Sequence, residues 1–217
     1  MEPSEARSRM VSRLQASGYV RSERVAQAMR AVPRHIFLPD DMREQAYMDT
    51  PLHIGEGQTI SAPHMVAIMA EALDLHPGHK VLEVGGGSGY HAAVIAELVR
   101  PGGKVYSVER LGSLAKSALR NLKASGYGDK VEVVEGDGTK GLPEHAPYDR
   151  ISVAAAAPHV PEPLKEQLED GGKLLVPVGG PWYQDLALVT RKRGKFVTEN
   201  LGGCAFVPLI GEHGNRP

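Results

Sequence analysis

Apolar positions give the chain two textures. Val11 and Leu14, then Val25, Ala28, Met29 and Val32, recur at helical spacing and predict two helices. Pro33 ends that pattern, because the residue before a proline is pushed out of the α region. Pro39 to Gln58, broken by Pro51, Gly55 and Gly57, reads as a loop. A third helix is expected from Pro63 through Val66, Ile68, Met69 and Leu73. From Lys80 short apolar runs alternate with helical spacing. Strands are expected at Val81–Val84, Val105–Val108, Val131–Val134, Arg150–Val153 and Lys173–Val178. Helices are expected over Ala92–Val99 and Leu111–Leu122, with Gly126 as a cap, and over Pro163–Leu168. That order predicts an α/β fold: a doubly wound, mostly parallel sheet with N-terminal helices. Leu186–Thr190 and Lys195–Val197, flanking Arg191-Lys192-Arg193-Gly194, add a C-terminal antiparallel hairpin with a solvated tip.

Composition narrows the partners. The 217 residues suffice for one domain with a real core, and a net charge of -1 argues against non-specific nucleic-acid binding. Cys204 is the sole cysteine, so no internal disulfide forms, which suits a reducing compartment. The first residues are charged and lack an apolar core, and no run approaches the ~20 apolar residues of a membrane span. A cytoplasmic protein acting as a monomer, without membrane or nucleic acid, is the expectation.

The candidate chemistry lies at strand ends. Gly85, Gly87 and Gly89 follow the first strand of the parallel set, where backbone can approach a ligand and a helix N-terminus is presented. Tyr90 occupies the position at which a dinucleotide fingerprint needs glycine, so a nucleoside without a pyrophosphate is favoured over a dinucleotide. A tight strand–helix turn explains such glycines equally well. Glu109 ends the second strand and can accept from two ribose hydroxyls; Asp137, after the third, can accept from an adenine amino group. Glu83 is an acid inside an apolar strand, fit either to orient a cationic amino group or to form a buried salt bridge. The histidines show no paired metal-ligand spacing and no cysteine cluster accompanies them, so no metal is expected. No Gly-x-Ser-x-Gly nucleophile elbow occurs.

The stretch from Tyr47 to Met65, with Gln58-Thr59-Ile60-Ser61 at its centre, resembles the signature of the protein-L-isoaspartate O-methyltransferases. Val32–Phe37, Val81–Tyr90, Glu135–Gly138, Ala155–Pro158, Gly171–Leu174 and Phe206-Val207-Pro208-Leu209 agree with it. The resemblance implies a Rossmann-like class I fold and S-adenosylmethionine (AdoMet) as methyl donor, with S-adenosylhomocysteine as product. The implied substrates are proteins and peptides containing isoaspartyl residues, whose free α-carboxylate is methylated. By the same resemblance Ser61 is catalytic. Gln58, Thr59, Glu83, Gly85, Gly87, Gly89, Glu109, Arg110, Asp137 and Gly138 would hold the cofactor. Thr59, Ser61, His64, Phe206 and Val207 would meet the substrate, the last two along its backbone. Residues 1–217 would form one domain, with 1–78 on the substrate side, 79–180 as the AdoMet core and 181–217 as C-terminal strands.

Other roles stand beside these. Ser61 suits an N-cap for the following helix, Thr59 a loop hydroxyl, His64 a helix surface, and Phe206 and Val207 a core strand. Gly86 and Ala154 depart from the family, which usually carries a hydroxyl (or, at 86, a thiol) at those positions. A methyltransferase for RNA or a small molecule would share Glu83 to Asp137 without needing Gln58 to Ser61. A module that only binds the nucleoside would not need Ser61.

Overall fold

The computed structural model describes residues 2–216. Helices α1 (Pro3–Ala16) and α2 (Glu23–Ala31) bury Met10, Val11, Leu14, Val25, Ala28 and Met29, the stripe that the spacing predicts. Ser22 caps α2 by accepting from the Val25 N–H at 3.2 Å. Two 3-10 turns follow, and then strands β1 (Leu52–Gly55) and β2 (Gln58–Ile60) pair as a small antiparallel hairpin. This corrects the expected loop. Strands of four and three residues carry too little periodicity to read, and Gly55, Glu56 and Gly57 all take positive φ to turn the chain. Helix α3 (Pro63–Leu73) starts where expected.

The main sheet has seven strands: β3 (Lys80–Val84), β4 (Lys104–Glu109), β5 (Val131–Glu135), β6 (Tyr148–Val153), β7 (Leu168–Gly179), β8 (Gln184–Lys192) and β9 (Lys195–Cys204). Their spatial order is β5-β4-β3-β6-β7-β8-β9, parallel as far as β7 and antiparallel thereafter. Helices α4 (Tyr90–Leu98) and α5 (Gly112–Ala124) follow β3 and β4, and the short α6 (Glu162–Glu166) precedes β7. The terminal hairpin is longer than its apolar run indicates, because β9 continues through exposed positions as far as Cys204.

Alternation along the strands sorts the core onto two faces. Val81, Val105, Val131 and Leu175 join the cluster built with α1 to α4. Leu82, Val84, Ile151, Val153, Leu174 and Val176 join Leu164 of α6, Leu142, Tyr148 and Leu209 on the other. Glu83 shares the face of Val81, so its carboxylate points toward the side covered by α3 and α4.

Candidate active site

Strand order reverses between β3 and β6, and a crevice opens there at the carboxyl ends of the strands, where such sheets bind ligands. Gly85, Gly87 and Gly89 have φ of 85°, 53° and 87°. Each needs the left-handed region, which answers why glycines stand there. Gly89 caps α4, and the Gly87 N–H donates to Glu109 Oε2 at 2.9 Å.

Glu83 is fully buried. Register places Ser107 of β4 and Ser152 of β6 opposite it on its two sides. The Ser107 hydroxyl donates to Glu83 Oε2 at 2.6 Å. Oε1 lies 3.3 Å from His91 Nδ1, yet among the described residues it has no aligned hydrogen-bond partner. A Cβ on Gly86 would collide with the Ser107 hydroxyl. The departure at Gly86 is thereby explained: Ser107 fills that space from the neighbouring strand and supplies a hydroxyl to Glu83.

Glu109 is almost buried, and its Oε1 accepts from the Leu111 N–H at 2.9 Å. Arg110 and Gly138 line the crevice with it. Gly138 packs its Cα so near Val84 that a Cβ would collide with that side chain. Asp137 sits behind this wall and is already engaged. Its Oδ1 accepts from the Thr139 N–H (2.9 Å) and hydroxyl (2.6 Å), and Oδ2 accepts from the Glu212 N–H at 2.9 Å. Burial raises the Asp137 carboxyl, but these hydrogen bonds outweigh it and hold the group below the usual carboxylate range. The C-terminal segment is thus tied over the crevice, which Leu209 and Ile210 also line.

Thr59 and Ala154 line the crevice, a smaller recess beside Glu83 and His91, and a broad outer cleft of about 730 Å³. Ser61 borders the recess and the cleft, and Gln58 the crevice. Ser61 does not cap α3. The N-cap position is Ala62, with no side-chain cap bond there, and the first turn is capped from a distance. Asp49 Oδ1 accepts from the His64 N–H and from His64 Nδ1, both at 2.9 Å. A carboxylate only accepts, so Nδ1 carries the proton and Nε2 is the other tautomeric nitrogen. His64 borders the cleft. Phe206 and Val207 border it too, although the backbone of Phe206 is spent: its N–H donates to Gln184 Oε1 at 2.7 Å and its carbonyl accepts from Gln184 Nε2 at 3.0 Å. The Val207 carbonyl accepts from the Ala156 N–H at 2.8 Å. Pairing of a peptide along both residues, as expected from the resemblance, is left with the Val207 N–H and the two side chains. Cys204 borders the same cleft, and burial pushes its thiol up to about 11, so it stays uncharged at neutral pH.

Sequence reasoning missed Asp49, Ser107, Gln184 and the β7–β8 turn. A lone serine between apolar neighbours in Val105-Tyr106-Ser107-Val108 was a legible signal; the others depend on contacts 15 or more residues apart. Among the described residues no group of three His, Cys, Asp or Glu side chains is placed to hold a metal ion.

A glycine loop at the reversal point, carboxylates at successive strand ends and a closing antiparallel hairpin place the chain among the Rossmann-like AdoMet-dependent methyltransferases. The comparisons are narrower. The chain belongs to the protein-L-isoaspartate(D-aspartate) O-methyltransferase family, which it matches over residues 5–214. It is 62% identical to a protein-L-isoaspartate O-methyltransferase of Methanopyrus kandleri, over 96% of this chain and 93% of that one. A solved protein-L-isoaspartate O-methyltransferase superposes with TM-score 0.88 at 33% identity, over 96% of this chain and 67% of the other. A Plasmodium falciparum structure assigned to the same activity, in complex with S-adenosyl-L-homocysteine, gives TM-score 0.86 at 28% identity, over 94% of this chain and 98% of that one.

Proposed function

We propose that the chain methylates the free α-carboxylate of isoaspartyl residues in damaged proteins and peptides, and that the residues around the three joined cavities divide that task. The carrying observation is the position of Ser61. It stands on the wall between the recess beside Glu83 and the outer cleft, relieved of capping by Asp49.

The crevice suits AdoMet. Glu109 keeps lone pairs beyond its two backbone partners and fits the ribose hydroxyls. The buried Oε1 of Glu83, with His91 Nδ1 at 3.3 Å but no aligned hydrogen bond, fits an ammonium group, since a buried carboxylate oxygen without a hydrogen-bond donor is costly. Gln58, Thr59, Arg110, Gly138 and the glycines complete the walls. Asp137 has one oxygen, Oδ2, with a single partner, and that atom fits the adenine amino group.

Bound AdoMet supplies an electrophilic methyl group on a sulfonium. The acceptor, a carboxylate with a reference pKa near ~4, is ionised at neutral pH and needs no general base. The chain then has to align and desolvate it. Ser61 donates a hydrogen bond to it, His64 lies within the same cleft, and Thr59 separates cofactor and substrate sides. The ester formed can release methanol, a far better leaving group than the oxide a carboxylate would have to expel. Closure to a succinimide by the neighbouring backbone nitrogen, and opening toward normal aspartate, need no further group from the protein.

The outer cleft is lined without Lys or Arg, which suits a polypeptide and gives a phosphate backbone no cation. No helix among the described residues is long and apolar enough to cross a membrane. We take the working form to be a cytoplasmic monomer, in keeping with the single, half-buried cysteine. The test is Ser61→Ala assayed twice: turnover on an isoaspartyl peptide should fall while calorimetric AdoMet affinity holds. Equal turnover would remove Ser61 from the reaction.

A further inference from the structure

The outer cleft is much larger than the group to be methylated. A carboxymethyl group fills only a few water volumes of ~30 Å³ each, whereas the cleft holds about 730 Å³. Apart from His64, no titratable acid or base of the usual charged types lines it: Met65, Phe206, Val207, Trp182 and Tyr183 dominate its walls. Trp182 is 97% exposed and Tyr183 66%, the two most exposed large apolar side chains of the molecule's described residues. Two such aromatics side by side on a surface signal a contact yet to be made.

Their placement is built. They sit in the turn between β7 and β8, which closes through Gly179 at φ 149°; a Cβ there would collide with the Tyr183 carbonyl. The next residue, Gln184, is buried and clamps both backbone groups of Phe206 with its amide. The turn is therefore fastened to the cleft wall while its two rings stand in solvent.

We propose that Trp182 and Tyr183 form a specificity edge that receives an apolar side chain flanking the isoaspartyl residue, so that damaged sites in apolar sequence are methylated in preference to those in acidic sequence. The occupant is an extended peptide continuous with the group held at Ser61; successive residues advance it by ~3.3 Å, which brings near neighbours along the cleft. This rests on the function proposed above.

The test is a peptide series with one isoaspartyl residue, in which leucine, phenylalanine or glutamate is walked through the two positions on either side. With AdoMet saturating, kcat/KM is measured for the wild type, Trp182→Ala, Tyr183→Ala and Trp182→Phe. At one or more positions the wild type should favour leucine and phenylalanine over glutamate. Trp182→Ala should lower that ratio about threefold to tenfold, as losing one aromatic contact predicts, mostly through KM. Trp182→Phe should restore most of it. Methylation of every isoaspartyl peptide with a ratio unchanged by all three variants would overturn the edge and leave the reaction standing. No methylation of any isoaspartyl peptide by the wild type would overturn the reaction, and the edge with it. A dimer lost in Trp182→Ala, with peptide selectivity intact, would assign the rings to a second copy of the chain instead and overturn the proposal.

Discussion

Asp49 takes over the capping that a serine at a helix start usually performs, which leaves Ser61 free of it. Because the His64 N–H is capped by Asp49, Ser61→Ala should leave the melting temperature nearly unchanged. Its turnover should fall roughly 10- to 100-fold, the worth of a hydrogen bond to a charged group of about 1.5–3 kcal/mol. Asp49→Ala should show the reverse emphasis: loss of a cap costs ~1 kcal/mol, or roughly 2–4 °C in a chain of this size. Differential scanning calorimetry beside a turnover assay checks both. Glu83 offers a second test. Ser107→Ala removes the hydroxyl that holds Oε2, and AdoMet binding should weaken by about 1–3 kcal/mol. Gly86→Ser alone should weaken binding as well, because its Cβ meets Ser107. The double variant should bind better than the two losses sum to, since each change makes room for the other. Simple additivity in a calorimetric cycle would show that the two positions do not share that space.

The elements divide by how much periodicity they carry. Strands β3 to β6 are bounded by turn residues and rich in Val and Ile, so they were legible, as were α1 to α5 from spacing. The β1–β2 hairpin was not, because three residue pairs closed by Glu56-Gly57 look like a glycine loop until their partners are known. The long β9 was not either: its later residues are exposed and make their case only through pairing with β8. Site residues followed the same division. Gly85, Gly87 and Glu109 stand at positions that a strand-end argument reaches and Ser61 was reached only through the family resemblance, while Asp49 and Gln184 act across the fold. The C-terminal segment over the crevice is an element held by side chains. Asp137 accepts from Glu212, and Asn215 Nδ2 donates to the Ala156 carbonyl at 2.9 Å. The Asp137 carboxyl is held below its ordinary value, so its contribution is complete above the unfolded pKa of ~3.9 and is lost as pH falls through the lowered one. The protection factor of the Glu212 amide, its exchange rate relative to the free peptide at the same pH, should accordingly be high at neutral pH and fall in acid as the Asp137 carboxyl takes up its proton. Asp137→Ala should lower that protection factor already at neutral pH and weaken AdoMet binding by roughly 1–3 kcal/mol. Protected exchange in that variant would mean the segment is held by Asn215 and Leu209 instead.

For the whole molecule, the proposed function has cofactor and substrate meeting across one wall. The crevice lies at the reversal of strand order and the outer cleft lies between α3 and the β7–β8 turn; Thr59, Ser61 and Ala154 divide them. Ala154 takes on meaning from that position: its small side chain lines all three cavities. A ligand held by so many strand ends should stabilise the fold as a unit. S-adenosylhomocysteine at 100 times its Kd should add about 2.7 kcal/mol and raise the melting temperature by roughly 5–10 °C. The central claim, that this wall joins a methyl donor to an isoaspartyl carboxylate, is tested most directly by incubating the protein with methyl-labelled AdoMet and two peptides that differ only in carrying aspartate or isoaspartate. Base-labile label on the isoaspartyl peptide alone is the predicted result. Label on both peptides, or on neither while AdoMet still binds, would contradict it.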